Sequence, residues 1–349
     1  MTVVQRSTWL GLMSGSSLDG LDIAIVDFTW INKFESIEFT DWQILQTKTI
    51  QLPELLINQL KKSPSLSGKD LQKLNASFGS YCGEQIKSFI MKTGKKIEGV
   101  GFHGHTVFHY PEEGFSYQLG LKEQIEKHLD VPVYTNFRNE DISRGGQGAP
   151  IVPIMEHYLL PEHQVFLNLG GIANISFHSD EHILAYDICP CNQLLNYVAN
   201  QAGMDFDNNG KLARSGTIDK MLLQKMDAFD YYQEPIPKSL DNNRLQAHFY
   251  PLLDDFSIYP EDKLHTICKH IAGQINKAIK DTQKANVYCT GGGVHNEFLA
   301  ECINEELRTN VSRLYIPDDL MVNYKEAVLM ALLGFLRKMH FPLSNSDIN

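Results

Sequence analysis

Two glycine-tipped hairpins, set almost half a chain apart, constrain this sequence more than any other feature. Residues 8–28, TWLGLMSGSSLDGLDIAIVDF, read as strand, Gly/Ser/Asp turn, strand. Residues 164–178, QVFLNLGGIANISFH, read as strand, Gly-Gly turn, strand. Each puts small residues at a tip, where backbone amides can approach a ligand closely. Gly170 follows Gly15 by 155 residues in a chain of 349. That length exceeds one comfortable core, and the offset suggests two related halves. We divide them as 1–150 and 151–349, each opened by one hairpin.

The remaining pattern is α/β. Leu71, Leu74, Phe78, Tyr81, Cys82, Ile86 and Phe89 recur at helical spacing over 69–91. Residues 97–110 look extended, 131–137 form a short strand, and 138–153 read as irregular backbone at a bend. In the second half, 182–188 is a strand, 191–204 a helix and 266–279 an amphipathic helix. Residues 285–307 read as strand, Gly-Gly-Gly turn and helix, and 324–339 as an apolar final helix. Prolines at 235, 237, 251 and 260 break any clear period across 205–265.

Charge and composition exclude several partners. The formal net charge is −11, and such a surface repels a phosphate backbone, so nucleic acid is not expected. No run of about 18 apolar residues occurs, so no membrane span is expected. The first residues, MTVVQRSTWLGLMSG, lack the apolar stretch and cleavage site of a leader. Six cysteines at 82, 189, 191, 268, 289 and 302 share no repeated spacing, which suits free thiols in a reducing, cytoplasmic setting. Only Cys189-Pro190-Cys191 stands out as a ligand or redox pair.

A triphosphate needs several N–H and O–H donors converging from backbone free of bulky side chains. Gly15, Ser16, Ser17, Leu18, Asp19, Gly20, Leu21 and Asp22 supply such a turn, with Asp19 and Asp22 able to hold Mg²⁺ through water. Gly170-Gly171 and Gly291-Gly292-Gly293 add two more, each directly after an apolar strand. Asp187, between a strand and a helix, is either an N-cap or a general base at a sheet edge. Arg138 has the planar fork for a phosphate or carboxylate, and Glu326 opens the final helix. His103-Gly104-His105 offers a rival reading: two histidines on one face of a strand, as in a metal hydrolase.

Seven blocks, in order, resemble the anhydro-N-acetylmuramic acid kinase family: GLMSGSSLDGLD, GFHGHTVFHYP, NFRNEDISRGGQGAPIVP, NLGGIANIS, PKS, GGGVHN and KEA. The resemblance implies a duplicated, actin-like (ribonuclease H-like), two-lobed ATPase fold with a nucleotide cleft between the lobes. It implies ATP and Mg²⁺, an amino sugar substrate (1,6-anhydro-N-acetylmuramic acid), a place in peptidoglycan recycling and a homodimer. Asp187 would be the catalytic base, the 15–22 turn would line the ATP phosphates, and His103, Arg138, Gln147 and Glu326 would lie near the sugar. The chain departs from the family where Ile188-Cys189-Pro190-Cys191 replaces a small Thr-Gly-Pro-Gly turn, where His105 replaces Gln, where Asn136 replaces Asp before Phe137-Arg138, and where Leu240-Asp241 follows Pro-Lys-Ser. Those departures leave open a kinase of a different amino sugar. A non-catalytic ATP-binding regulator is the reading from another class, beside the hydrolase.

Overall fold

The computed structural model describes residues 3–15, 18, 20–33, 36–179, 182–282 and 284–341. The chain divides into two units: residues up to Pro161 together with those from Tyr324 onward, and Glu162–Asn323.

The first unit contains β1 (Val4–Ser14), β2 (Leu21–Lys33), β3 (Ser36–Ile50), α1 (Glu54–Lys61), α2 (Gly68–Thr93), β4 (Gly99–Phe102), β5 (His105–Tyr110), β6 (Phe115–Leu119), α3 (Lys122–Glu126), β7 (Val133–Tyr134), α4 (Phe137–Ser143) and α5 (Val152–Leu159). Its main sheet has the order β3-β2-β1-β4-β7, with β5 and β6 forming a separate ribbon. β1 pairs antiparallel with β2 and parallel with β4.

The second unit contains β8 (Val165–Leu169), β9 (Ile172–His178), β10 (Ile183–Pro190), α6 (Asn192–Gln201), α7 (Lys211–Ser215), α8 (Lys220–Asp227), α9 (Asn242–Asp255), α10 (Pro260–Ile279), β11 (Asn286–Thr290), α11 (Glu297–Leu307) and β12 (Arg313–Tyr315). Its sheet has the order β10-β9-β8-β11-β12. Senses repeat as well: β8 is antiparallel to β9 and parallel to β11, which is parallel to β12. Both sheets thus follow one plan, a hairpin, a third antiparallel strand, then two parallel strands beside the first. This is the duplicated, ribonuclease H-like arrangement of actin-like proteins. In each sheet the turns after the first strand and after its parallel neighbour leave the same edge, where ligands of such sheets bind.

Helix α2 starts where the Ser67 side chain accepts from the Asp70 N–H and ends at Gly94 in the left-handed region. Its buried stripe, Leu74, Phe78, Cys82, Ile86 and Phe89, packs with Leu10, Leu12, Ile23, Ile25 and Phe102 from one face of the sheet. The last helix, α12 (Asp319–Lys338), lies from Tyr324 on in the first unit and covers the other face. There Phe335 sits among Trp9, Phe28, Trp30 and Phe39, with ring centroids 5.4–6.0 Å apart. In the second unit the core is one cluster joining β8, β9 and β11 to α6, α9, α10 and α11.

Some expectations change. Residues 36–50 form a long strand that the sequence did not announce, because its exposure follows no clean alternation. The 138–153 segment is not wholly irregular: α4 and α5 occupy its ends. Within the described residues no helix is long and apolar enough to cross a membrane.

Backbone contact between α12 and the sheet yields a stability prediction. A Cβ on Gly101 would lie 1.7 Å from the Met330 carbonyl oxygen, whereas one on Gly273, inside α10, meets nothing within 4 Å. Gly101→Ala should destabilise the fold by on the order of 3 kcal/mol through overpacking. Gly273→Ala should stabilise it by about 0.5–1 kcal/mol by removing helix-interior glycine entropy. Urea unfolding midpoints of the two variants should move in opposite directions.

Candidate functional site

A pocket of about 330 Å³ opens in the first unit, lined by Met13, Ser14, Gly15, His103, Thr106, Arg138 and Glu326. Its walls come from the edge just described: the end of β1, the break after β4, the ribbon strand β5, helix α4, and α12. Arg138 is the fixed point. Its Nε donates to His103 Nε2 at 2.7 Å, and its Nη1 donates to the Gly148 carbonyl at 2.7 Å. His103 Nδ1 is 2.8 Å from the Gly104 carbonyl. The ring is therefore neutral, with its proton on Nδ1 and its Nε2 lone pair turned to the guanidinium. Burial, then the adjacent Arg138 charge, pushes its pKa down to about 3. Burial also lowers the Arg138 pKa, which the Glu326 carboxylate opposes. Arg138 Nη2 has no partner among the described residues, so a cationic edge stays open to the pocket.

The glycine-rich loop after α4 is what supplies Gly148. Asp141, 4% exposed, accepts from the Gly148 N–H at 2.7 Å, and its own carbonyl accepts from the Gly146 N–H at 2.9 Å. A Cβ at Gly146 would lie 2.2 Å from an Asp141 carboxylate oxygen. Sequence reasoning overlooked Asp141, which nothing but the folded loop reveals. Gln147, from the same loop, is exposed and does not line the pocket.

The histidine pair expected on one strand face is not there. Phe102 ends β4, His105 begins β5, and Gly104 between them has φ +84°. Both ring nitrogens of His103 are engaged, and no group of three metal-ligating side chains occurs among the described residues. The hydrolase reading loses its ligands.

Of the first turn, Ser16, Ser17 and Asp19 lie outside the described residues. Gly15 lines the pocket, while Leu18 and Leu21 send their side chains into the core and leave only backbone to a ligand. Gly20 is buried against Thr49 and Ile50. Asp22 accepts from the Thr49 hydroxyl at 2.6 Å. Ser14 lines the pocket with its hydroxyl buried and unpaired among the described residues.

In the second unit, the Gly170-Gly171 turn is tied to the start of α6. Its carbonyls accept from the N–H groups of Cys191, Asn192 and Gln193, and Asn192 Nδ2 donates to the Leu169 carbonyl at 2.9 Å. The N–H groups of Gly170 and Gly171 make no turn or loop hydrogen bond among the described residues. Gly291 has φ +90°, and a Cβ there would lie 2.8 Å from Asn168 and Leu169 atoms. Only glycine permits that approach. The turn continues through Gly292 as a short 3-10 helix, and α11 begins later, capped by Asn296.

Asp187 is not an N-cap. The cap position of α6 is Cys191, which makes no side-chain cap, and β10 runs on to Pro190. A bulge between Asp187 and Cys189 interrupts the pairing with β9, and such bulges re-aim the side chains beside them. One Asp187 oxygen, Oδ2, accepts from the Leu240 N–H at 2.8 Å and the Ser239 hydroxyl at 3.2 Å. The Asp187 N–H donates to the Lys238 carbonyl at 3.0 Å, and the Tyr231 hydroxyl donates to the Asp187 carbonyl at 2.6 Å. Oδ1 has no partner among the described residues. Burial raises the carboxyl pKa, while the Leu240 and Ser239 donors pull it back. The Cys-Pro-Cys segment faces away: Cys189 and Cys191 are fully buried in the core, and burial pushes the Cys191 thiol up to about 12. All six cysteines are buried and free, so the redox or ligand reading falls with them.

Residues 7–348 match the family described as anhydro-N-acetylmuramic acid kinase. The chain belongs to that family. The anhydro-N-acetylmuramic acid kinase of Shewanella loihica is 32% identical over 313 residues, spanning 84% of this chain and 82% of its own. That of Synechococcus elongatus is 29% identical over 360 residues, spanning 95% and 93%. Among solved structures, the (R)-2-hydroxyglutaryl-CoA dehydratase component A of Acidaminococcus fermentans superposes over 95% of this chain and 99% of its own, at 12% identity and a TM-score of 0.49. Strand order, rather than that distant superposition, carries the fold assignment. As a member of the anhydro-N-acetylmuramic acid kinases the chain is an ATP-using phosphotransferase.

The clasp on Asp187 predicts a signed titration. Removing one donor to the ionised form raises a carboxyl pKa. Ser239→Ala should therefore shift the Asp187 carboxyl, followed by NMR of labelled aspartate, upward. A downward or absent shift would show that the hydroxyl does not hold the carboxylate. Because the folded pKa is raised, its stabilising contribution is present below the unfolded pKa and is lost as pH rises through the folded one. Asp187→Asn should consequently fold at least as stably as the parent at neutral pH.

Proposed function

We propose that this kinase opens 1,6-anhydro-N-acetylmuramic acid with water and phosphorylates O6 from Mg-ATP, giving N-acetylmuramic acid 6-phosphate. The observation that carries the mechanism is Asp187: one oxygen clasped by two donors, the other unpartnered, and the pKa raised toward that of a base. Asp187 Oδ1 takes a proton from water as the water oxygen attacks the anomeric carbon opposite the anhydro bridge. The C1–O6 bond breaks, and O6 takes the γ-phosphoryl group in place of the general acid of an inverting glycosidase. ADP leaves, and the water oxygen stays on C1.

The phosphates would be met by backbone. Gly15, Leu18, Gly20, Gly170, Gly171, Gly291 and Gly292 offer turns without obstructing side chains, and Ser16 and Ser17 add hydroxyls. Mg²⁺ usually keeps several waters and takes one or two carboxylates besides phosphate. Asp22, beside the Gly15 turn and bonded by the Thr49 hydroxyl, is one candidate carboxylate, with Asp19 as the second. When bound, the ion would neutralise charge on the phosphates. In the first unit Arg138, held by His103 and Gly148, offers its open edge to an acidic sugar, with Glu326 as an acceptor for hydroxyls. Gln147 remains a candidate sugar contact from the loop.

The family substrate is favoured over a different amino sugar by where two of the departures fall, while Leu240 meets Asp187 through its backbone N–H with its side chain in the core. Cys189 and Cys191 turn into the core, and His105 does not line the pocket. Buried free thiols and ATP dependence both fit the cytoplasm.

Incubation with Mg-ATP and the anhydro sugar, read by mass spectrometry, should give a product heavier by one phosphoryl group and one water. A phosphorylated sugar with its anhydro bridge intact, or ATP hydrolysis with the sugar unchanged, would refute the coupled reaction. Asp187→Asn should lower kcat by at least about 10²-fold. Arg138→Ala should raise the sugar KM by roughly tenfold or more, with the ATP KM little changed, as expected when one ligand's binding is lost.

A further inference from the structure

The register of the second sheet sets Asp187 in a row of polar residues. Asp187 pairs with Asn174, Asn174 with Asn168, and Asn168 with Thr290, across β10, β9, β8 and β11. Directly paired residues project from the same face of a sheet. Their neighbours in sequence, Tyr186, Ile175, Leu167 and Cys289, belong to or pack against the core on the opposite face. The row therefore stands clear of that core, at the edge carrying the Gly170-Gly171 and Gly291 turns.

Asn174 is the member of the row without a role. It is half-buried, and its side-chain amide makes no hydrogen bond among the described residues. Directly opposed Cβ atoms in an antiparallel pair lie about 4.5–5.5 Å apart. The unpartnered Oδ1 of Asp187 and the Asn174 amide are thus within the span that one water bridges.

From this juxtaposition we infer that Asn174 is a second catalytic residue, holding the attacking water together with Asp187. The inference rests on the reading of Asp187 as the base. The water donates one proton to Asp187 Oδ1 and its other hydrogen to Asn174 Oδ1, which aims the oxygen lone pair at the anomeric carbon. As the O–C1 bond forms, C1–O6 breaks and O6 takes the phosphoryl group. The first proton moves to Asp187; Asn174 gains and loses none. An oriented water converts a random encounter into a near-attack geometry. A base alone fixes only one of the water's two hydrogens.

Two variants test this beside Asp187→Asn. Asn174→Ala should lower kcat by roughly 10²-fold, with both KM values within about threefold and the pH profile of kcat/KM unmoved. Asn174→Asp keeps an acceptor oxygen but adds a like charge, which raises the pKa of the neighbouring carboxyl. It should retain more activity than the alanine variant, with the acid limb of kcat/KM displaced to higher pH. A purely structural role would not produce that displacement. Asn174→Ala with kcat within about threefold of the parent overturns the inference. So does a loss confined to the Mg-ATP KM, which would make Asn174 a phosphate contact. If the alanine variant fails to fold, an unmoved acid limb in Asn174→Asp overturns it instead. If Asp187→Asn stays active the base reading falls; if it is inactive while Asn174→Ala is not, only the present inference falls.

Discussion

Helix α12 touches the first sheet backbone to backbone, and the pocket depends on that contact. A Cβ on Gly11 would lie 1.7 Å from the Ala327 carbonyl oxygen, and one on Gly101 equally close to that of Met330. Glycine at these two facing positions, paired across β1 and β4, lets the helix settle deeper than any side chain permits. Ala327 is the residue after Glu326, so the same approach fixes how Glu326 reaches the pocket. One helical stretch further, Arg337 donates to the Thr135 carbonyl and to Glu140, and its guanidinium stacks 4.6 Å from the Phe137 ring. Those contacts hold α4, the helix that carries Arg138. A single element thus sets both the carboxylate and the cation of the pocket.

The second unit reaches a comparable result by different means. Its sheet repeats the first in order and sense, yet the carboxylate proposed as the base comes from a bulge rather than from a helix. The bulge interrupts regular pairing after Asp187, and the 238–240 segment occupies the clasped oxygen. Tyr231 then fixes the main chain behind it, with Lys238 donating to the Tyr231 carbonyl at 2.8 Å. The two donors to Oδ2 offset part of the burial cost of the charge, so the group stays ionisable while Oδ1 remains unoccupied. A carboxylate with both oxygens satisfied would be a weaker base.

What the sequence showed and hid follows from the range of the interactions. The two hairpins, the three glycine turns and α2 rest on contacts between near neighbours and on strict periods, so they were legible. Strand β3 was not, since bulges at Thr40 and Leu45 slip its alternation partway along. The N-cap reading of Asp187 failed because a bulge lengthens β10 to Pro190, which no local propensity announces. Ser239 and Leu240 lie more than fifty residues from the oxygen they hold, inside a stretch without periodicity. Asn174 sits in a block singled out for its glycines, and only strand register puts it beside Asp187.

The departures from the family's usual residues show why chemistry near a site must be separated from sequence near a site. Cys189 and Cys191 flank the proposed base within four positions, and on the sequence alone they threaten its backbone. The bulge breaks the alternation and sends Cys189, paired with Ala173, to the opposite face from Asp187, and the turn into α6 buries Cys191 as well. A buried thiol behaves as a small hydrophobe, so both act as core atoms under the sheet. What they alter is packing behind β10, where a small change is absorbed by neighbouring side chains. On the other face Asp187, Asn174, Asn168 and Thr290 form a polar row, with Phe166 and Tyr288 two positions further along the same strands. On the proposed reading the cysteines therefore bear on stability rather than on the chemistry of Asp187.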